Sequence, residues 1–231
     1  MPTVPALTSS LSDCTETPNP SGFSQYVIQP FGSKDALEWV CAQGKGRLAE
    51  IYPDTFNANY TLPWQQMKWS YRYFEGFSFY GLENLHQVTK QGVYDIDIKL
   101  FTKTDKGRIV YRNFLVDSEA QGYALHWDSV HWYKTHSTSA LFLDGLGGAG
   151  DETKNLNGAR FGTYDNDVNG CARANNAGWW FNPLGCTKLR FHAKGLYWPT
   201  NRNGTVTMEF VDVVVMFVKK NHWYVEDDLV L

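Results

Sequence analysis

From residue 92 to 102 the chain reads GVYDIDIKLFT, with Val93, Tyr94, Ile96, Ile98 and Leu100 set against polar neighbours. A period of two predicts a strand with one buried face. A turn through Asp105 and Gly107 follows, and residues 108–116 and 122–127 continue the pattern, so the middle third predicts an antiparallel meander. Residues 23–29 and 38–41 predict short strands, although 36–40 fit one helical turn equally well. The β-branched run 206–219 suits a central strand near the C-terminus. Helices are few: 82–88 is the best candidate and 71–74 a second. Residues 1–20, rich in Pro, Ser and Thr without apolar period, predict an extended lead-in tethered at Cys14, and 21–231 the folded body.

Composition narrows this to a packed, water-facing chain. Hydrophobic residues make up 43% and aromatics 16% of 231 residues, too apolar for general disorder and enough for a sizeable core. The net charge of −3 gathers no polyanion, so no nucleic acid partner is expected. The longest apolar run, 213–218, falls far short of the roughly 18–20 residues of a spanning helix, and no membrane span is expected. Cys14, Cys41, Cys171 and Cys186 allow three connectivities, and the absence of CxxC spacing argues against zinc. Oxidised pairs imply a secreted, extracellular protein, as do the glycosylation sequons at Asn59 and Asn203. The N-terminus has neither basic head nor long apolar stretch, so it reads as a mature fragment behind an added methionine.

The densest chemistry lies in residues 161–181, FGTYDNDVNGCARANNAGWWF. Asp165 and Asp167 are hard oxygen donors in an Asn- and Gly-rich turn, which suits Ca²⁺; such residues equally cap turns by accepting backbone amides. Any bond made by Cys171 pins that loop, and Trp179, Trp180 and Phe181 fall between it and Cys186. Of the two tryptophans, one is expected in the core and the other half exposed. A binding site is expected rather than catalysis, since GxSxG, HExxH and a convincing carboxylate pair are all missing. GLGGAG at 145–150 lacks a GK[ST] ending and predicts a turn. Structural roles are expected for His86, His126 and His222, while WDSVHWYKTH at 127–136 could stack on sugar rings or bridge two subunits.

The order of landmarks from Cys14 to about Lys219 resembles the fibrinogen C-terminal domain, or fibrinogen-related domain. The motifs are Ser21-Gly22-Phe23 running through Tyr26, Ile28 and Pro30, then Val40-Cys41, GLENLHQVTKQGVYDIDIKL at 81–100, the GxAGD-like turn at 147–151, and FxTxDxD, CA and GWW within 161–180. That resemblance implies an α+β fold with a central antiparallel sheet, few short helices and a loop-rich ligand and calcium subdomain. It also implies local disulfides, Cys14 with Cys41 and Cys171 with Cys186, and a Ca²⁺ site at Asp165, Asp167 and Asn169. Here only Val168, Asn169 and Gly170 separate Asp167 from Cys171, a shorter acidic stretch than the family usually carries, which lowers the expected affinity. The implied ligand pocket gathers Cys171, Ala172, Trp179, Trp180, Cys186 and Thr187, with His192, Lys188 or Arg190 for polarity and Tyr197 and Trp198 as an apolar wall. Thr187 stands where the family often has His. By resemblance to lectin-like members such as ficolins and tachylectins, the implied function is innate immune recognition of acetylated glycans, N-acetyl sugars or sialic acid, by a homo-oligomer that gains avidity. The alternative is a protein-binding module, a receptor ligand or matrix contact without sugar specificity.

Overall fold

In β6 (Tyr94–Phe101) the predicted alternation is real, yet both of its faces are covered: Tyr94, Ile96, Ile98 and Leu100 are buried, and so are Asp95 and Asp97 between them. This computed structural model describes residues 11–18, 23–51, 61–69, 71–73, 77–133, 141–167, 169–187, 189, 191–192, 195–211 and 213–220. Ahead of β6 come a 3₁₀ turn at Cys14–Glu16, β1 (Phe23–Ile28), β2 (Leu37–Ala42), β3 (Lys45–Ile51), α1 (Trp64–Lys68), β4 (Tyr71–Tyr73), β5 (Phe77–Phe79) and α2 (Leu82–Thr89). After it come β7 (Lys106–Arg112), β8 (Leu115–Val116), β9 (Leu125–His126), β10 (Ser129–Tyr133), β11 (Leu141–Phe142), β12 (Phe161–Gly162), α3 (Cys171–Asn175) and β13 (Trp179–Trp180). β14 (Phe191–His192), β15 (Gly195–Arg202), β16 (Thr205–Val211) and β17 (Val213–Lys220) complete the described chain.

The fold is α+β, mostly sheet, around a nine-stranded sheet ordered β1-β2-β3-β17-β6-β7-β10, with β5 on β3 and β4 on β5. Every pair in that sheet is antiparallel. A smaller sheet, β11-β15-β14 with β16 on β15, and the two-stranded pairs β12–β13 and β8–β9 lie outside it.

Several local expectations change. The run 206–219 is two strands in two sheets, because β17 matches β6 residue for residue from Val213 opposite Phe101 to Lys220 opposite Tyr94 and has no partner length beyond that. Its upstream half, β16, pairs with β15 instead. The meander breaks at Asn113, whose positive φ of 55° ends β7; its amide donates to Asp95. β8 and β9 then pair by themselves, and β10 returns to β7. Residues 71–73 and 37–42 are strands, the helical options being overridden by antiparallel partners in β5 and β1. The helix expected at 82–88 forms as Leu82–Thr89. The lead-in is folded from at least Leu11, which bridges Ile28, and Ser12, Asp13 and Cys14 are buried; residues 1–10 lie outside the described part.

Two carboxylates tie sheet and lead-in together by charge. Burial raises the Asp97 carboxyl, but hydrogen bonds from Arg108 (2.8 and 3.0 Å) and the charge of Lys45 (3.1 Å) outweigh it and hold Asp97 below its ordinary value. Asp13 is likewise raised by burial and brought down further by Thr15, Lys220 and Tyr94. A depressed folded value stabilises above the unfolded pKa and is lost as pH falls through the folded one. The urea midpoint is therefore expected to stay level from neutral pH to about 5 and to drop below about pH 4, near the unfolded aspartate value. A midpoint that rises on acidification would contradict this.

Candidate functional site

The Asp165–Asp167 loop is built by side-chain oxygens that accept backbone amides. Asp165 sits in a turn closed by Asn166 N–H to Thr163 O (3.1 Å). Its carboxylate accepts from the Trp64 amide at the start of α1 (2.9 and 3.2 Å) and from the Thr163 hydroxyl (2.7 Å). Asp167 accepts from Ala172 N (3.2 Å) and Arg173 N (2.8 Å), the otherwise orphaned amides of α3. Gly170, at φ 78°, makes the turn into that helix. Asn169 accepts from Cys171 N (3.1 Å) while its amide group reaches Phe181 O and Asn182 O.

The oxygens of this loop are already engaged by the backbone. Ca²⁺ takes six to eight oxygens, whereas Asp165, Asp167 and Asn169 all receive backbone amides. Among the described residues, no three acidic, His or Cys side chains gather around a common point. A five-residue helix is far below the roughly 12–15 residues that hold alone, so α3 depends on its cap and its bridge. Asp167→Ala is expected to cost about 1 kcal/mol of unfolding free energy in urea, with Asp167→Asn recovering most of it; an Ala variant as stable as the parent would deny the capping role.

Both disulfides form as the resemblance implies, Cys14–Cys41 across 27 residues and Cys171–Cys186 across 15. The second bridge runs from buried Cys171 to exposed Cys186. The aromatic wall expected beside it is closed. Trp179 and Trp180 are 2% and 3% exposed, so the expected split between core and surface is wrong. On β13 the two indoles meet each other edge-on at 5.2 Å, and both are packed. Trp180 meets Phe161 edge-on at 4.8 Å and donates to Tyr123 O (2.8 Å), and both indoles line an apolar cavity with Ile96, Ile98, Leu146 and Met216. Ala172, Thr187 and Trp198 are also buried; Thr187 Oγ1 accepts from Leu189 N, and Trp198 donates to Leu143 O. Tyr197 is exposed on β15, and His192 lies in β14 opposite Gly195. Residues 188 and 190 are outside the described part.

What the rim does present is a residue not singled out from the sequence. Asn182-Pro183-Leu184-Gly185 forms a turn closed by Gly185 N to Asn182 O (3.2 Å). The Asn182 side chain donates to Glu152 O and Asn155 O (3.2 and 2.6 Å) and accepts from Leu184 N (2.8 Å). A Cβ on Gly185 would stand 2.9 Å from Thr153 O, so the turn is seated against 152–155. Leu184, 76% exposed, is the most exposed large apolar side chain among the described residues. An Asn-Pro-x-Gly signal for such a turn is legible in the sequence. Exposed Tyr164, whose carbonyl accepts from Arg173 Nε (2.9 Å), belongs to the same loop system.

The remaining candidates resolve into structure or plain surface. His86 faces Val116 O (2.9 Å) and His126 pairs with Asp117 (2.7 Å), while His222 lies outside the described residues, as does Asn59. Asn203 and Gly204, at φ 51° and 85°, make the exposed two-residue turn between β15 and β16. Trp127 is buried against Tyr111, whereas His131 and Trp132 are exposed on β10. Gly148–Gly150 is a 3₁₀ turn, as the glycine run implies.

Residues 12–226 match the family described as fibrinogen beta and gamma chains, C-terminal globular domain. The chain belongs to the fibrinogen C-terminal domain family. Angiopoietin-related protein 2 of Mus musculus is 25% identical over 96% of this chain, which spans about half of that relative's length (48%). Fibrinogen-like protein 1-like protein of Gallus gallus is 28% identical over 81% of the chain and 66% of its own length. Among solved structures, the fibrinogen-like globe domain of human ANGPTL2 superimposes with a TM-score of 0.70 at 21% identity, covering 92% of this chain and all of that one. A lamprey fibrin D-dimer complexed with the peptide Gly-His-Arg-Pro-amide gives 0.67 at 18%, covering 96% and 79%. These two likenesses show the fold.

Proposed function

We propose that this fibrinogen-family domain is a secreted, non-catalytic protein-recognition module, binding a polypeptide ligand on the rim formed by residues 164–167, 169–173 and 182–187. The observation that carries the reading is the burial of Trp179, Trp180 and Trp198, which takes these three indoles out of reach of a sugar and leaves Leu184 and Tyr164 projecting from the rim. Apolar anchors on a preorganised rim suit protein contacts, because little ordering entropy remains to be lost on binding. The lamprey fibrin with its bound peptide supports the same class of ligand for this fold. Two local disulfides support secretion.

A displayed peptide library panned on the intact chain, beside an array of N-acetylated sugars and sialic acids, tests the proposal. Enriched peptides that lose at least tenfold in affinity with Leu184→Asp are the expected result. Binding of acetylated glycans without peptide enrichment would restore the lectin reading and sink this one. Calcium is proposed to play no part: the melting temperature is expected to be the same in EDTA and in excess calcium, and a rise with calcium would show that the capped loop still takes the ion.

A further inference from the structure

The hairpin joining β15 to β16 turns through Asn203 and Gly204, with Arg202 and Thr205 paired on either side. Both turn residues have positive φ, a conformation that glycine and asparagine adopt more readily than other residues. The side chain of Asn201 closes the turn by accepting the Gly204 amide (2.8 Å). Residues 203–207 are all exposed, and a Cβ placed on Gly204 would meet nothing within 4 Å, so the tip stands in open space. Asn203-Gly204-Thr205 is also a complete acceptor triplet for an N-linked glycan. Beyond it runs β16, which among the described residues pairs with β15 alone. Its first half is unguarded: Val206 is 56% exposed, and the one charge of the strand, Glu209, is taken up by Arg202 (2.8 Å). Open edges of this kind are usually blunted by charge, proline or a cover.

We infer that Asn203 carries an N-linked glycan, and that this glycan covers the open edge of β16. The two disulfides belong to an oxidising, secretory route, where the chain meets an oligosaccharide carried on a polyprenyl diphosphate. The Asn203 side-chain nitrogen attacks C1 of the first sugar. A C1–N bond forms, the C1–O bond to the diphosphate breaks, and one amide proton passes to a base of the transferase. Transfer takes place before the hairpin closes, so the part played by the fold is to accommodate the product. It does so without loss, because the acceptor side chain is exposed and the bond that closes the turn runs through Asn201 instead. A bulky, hydrated sugar at the tip stands within three residues of Val206 and keeps a second strand from adding there. The inference depends on secretion alone, and not on what the rim binds.

Residue-level mass spectrometry of the chain secreted from a eukaryotic cell line tests this. The peptide containing Asn203 is expected to carry an oligosaccharide that a glycan-releasing amidase removes, leaving aspartate at position 203. Thr205→Ala takes away the acceptor hydroxyl at an exposed position and leaves the turn asparagine in place. It should abolish the modification with a melting temperature close to that of the parent, whereas Thr205→Ser should retain it. Removing the glycan from the folded chain is then expected to raise light scattering of a concentrated solution, and Val206→Lys, which guards the same edge with charge, should cancel that rise. An unmodified Asn203 in the secreted parent overturns the inference, as does a modification there that survives Thr205→Ala. Scattering unchanged by removal of the glycan overturns the shielding of β16.

Discussion

Asp97→Asn is expected to lower the unfolding free energy by about 3–5 kcal/mol, the range for breaking a buried ion pair from one side. Asp97 is fully buried and takes both arms of Arg108, itself nearly buried, together with Lys45. The amide has the shape of the carboxylate but not its charge, so two cations would remain in the sheet without their anion. Arg108 cannot shed its proton in a protein, and its stacking over Tyr133 at 4.3 Å compensates only in part. Urea denaturation at neutral pH gives the size of the effect. The same variant should also lose part of the acid sensitivity, since the group responsible is gone. A loss under 1 kcal/mol would mean that water reaches this pair.

Replacing Cys171 and Cys186 together by serine is expected to cost about 3 kcal/mol, the chain-entropy value for a loop of the 15-residue span that the bridge closes. Tryptophan emission under native conditions should nevertheless remain that of buried indoles. Trp179 and Trp180 are held by the β12–β13 pairing, by Phe161 and by the Trp180 bond to Tyr123, none of which passes through sulfur. A red-shifted native spectrum would show that the bridge, and not the core, keeps the indoles inside. Cleavage in 182–187 by limited proteolysis should rise in the variant, because Cys186 anchors that turn.

The cysteine order, the alternation in β6, the helix at Leu82–Thr89 and the motif series through 161–180 were all legible in the chain, because each is a local pattern. Those patterns carried the family resemblance, which in turn implied the α+β class and the two bridges that the structure shows. Only the tertiary structure decided which faces were covered. Periodicity reports that one side of β6 is apolar, and cannot report that Arg108 and Lys45 bury the acidic side too. The residue count of β6 limits β17 and splits an apolar run that looked continuous. Asp165 and Asp167 carry the same oxygens whether they hold a cation or an amide, and it is the approach of the Trp64 amide, distant in sequence, together with α3 that brings amides to them. Side-chain chemistry is written in the sequence; which partner reaches a side chain first is a matter of packing between segments far apart along it.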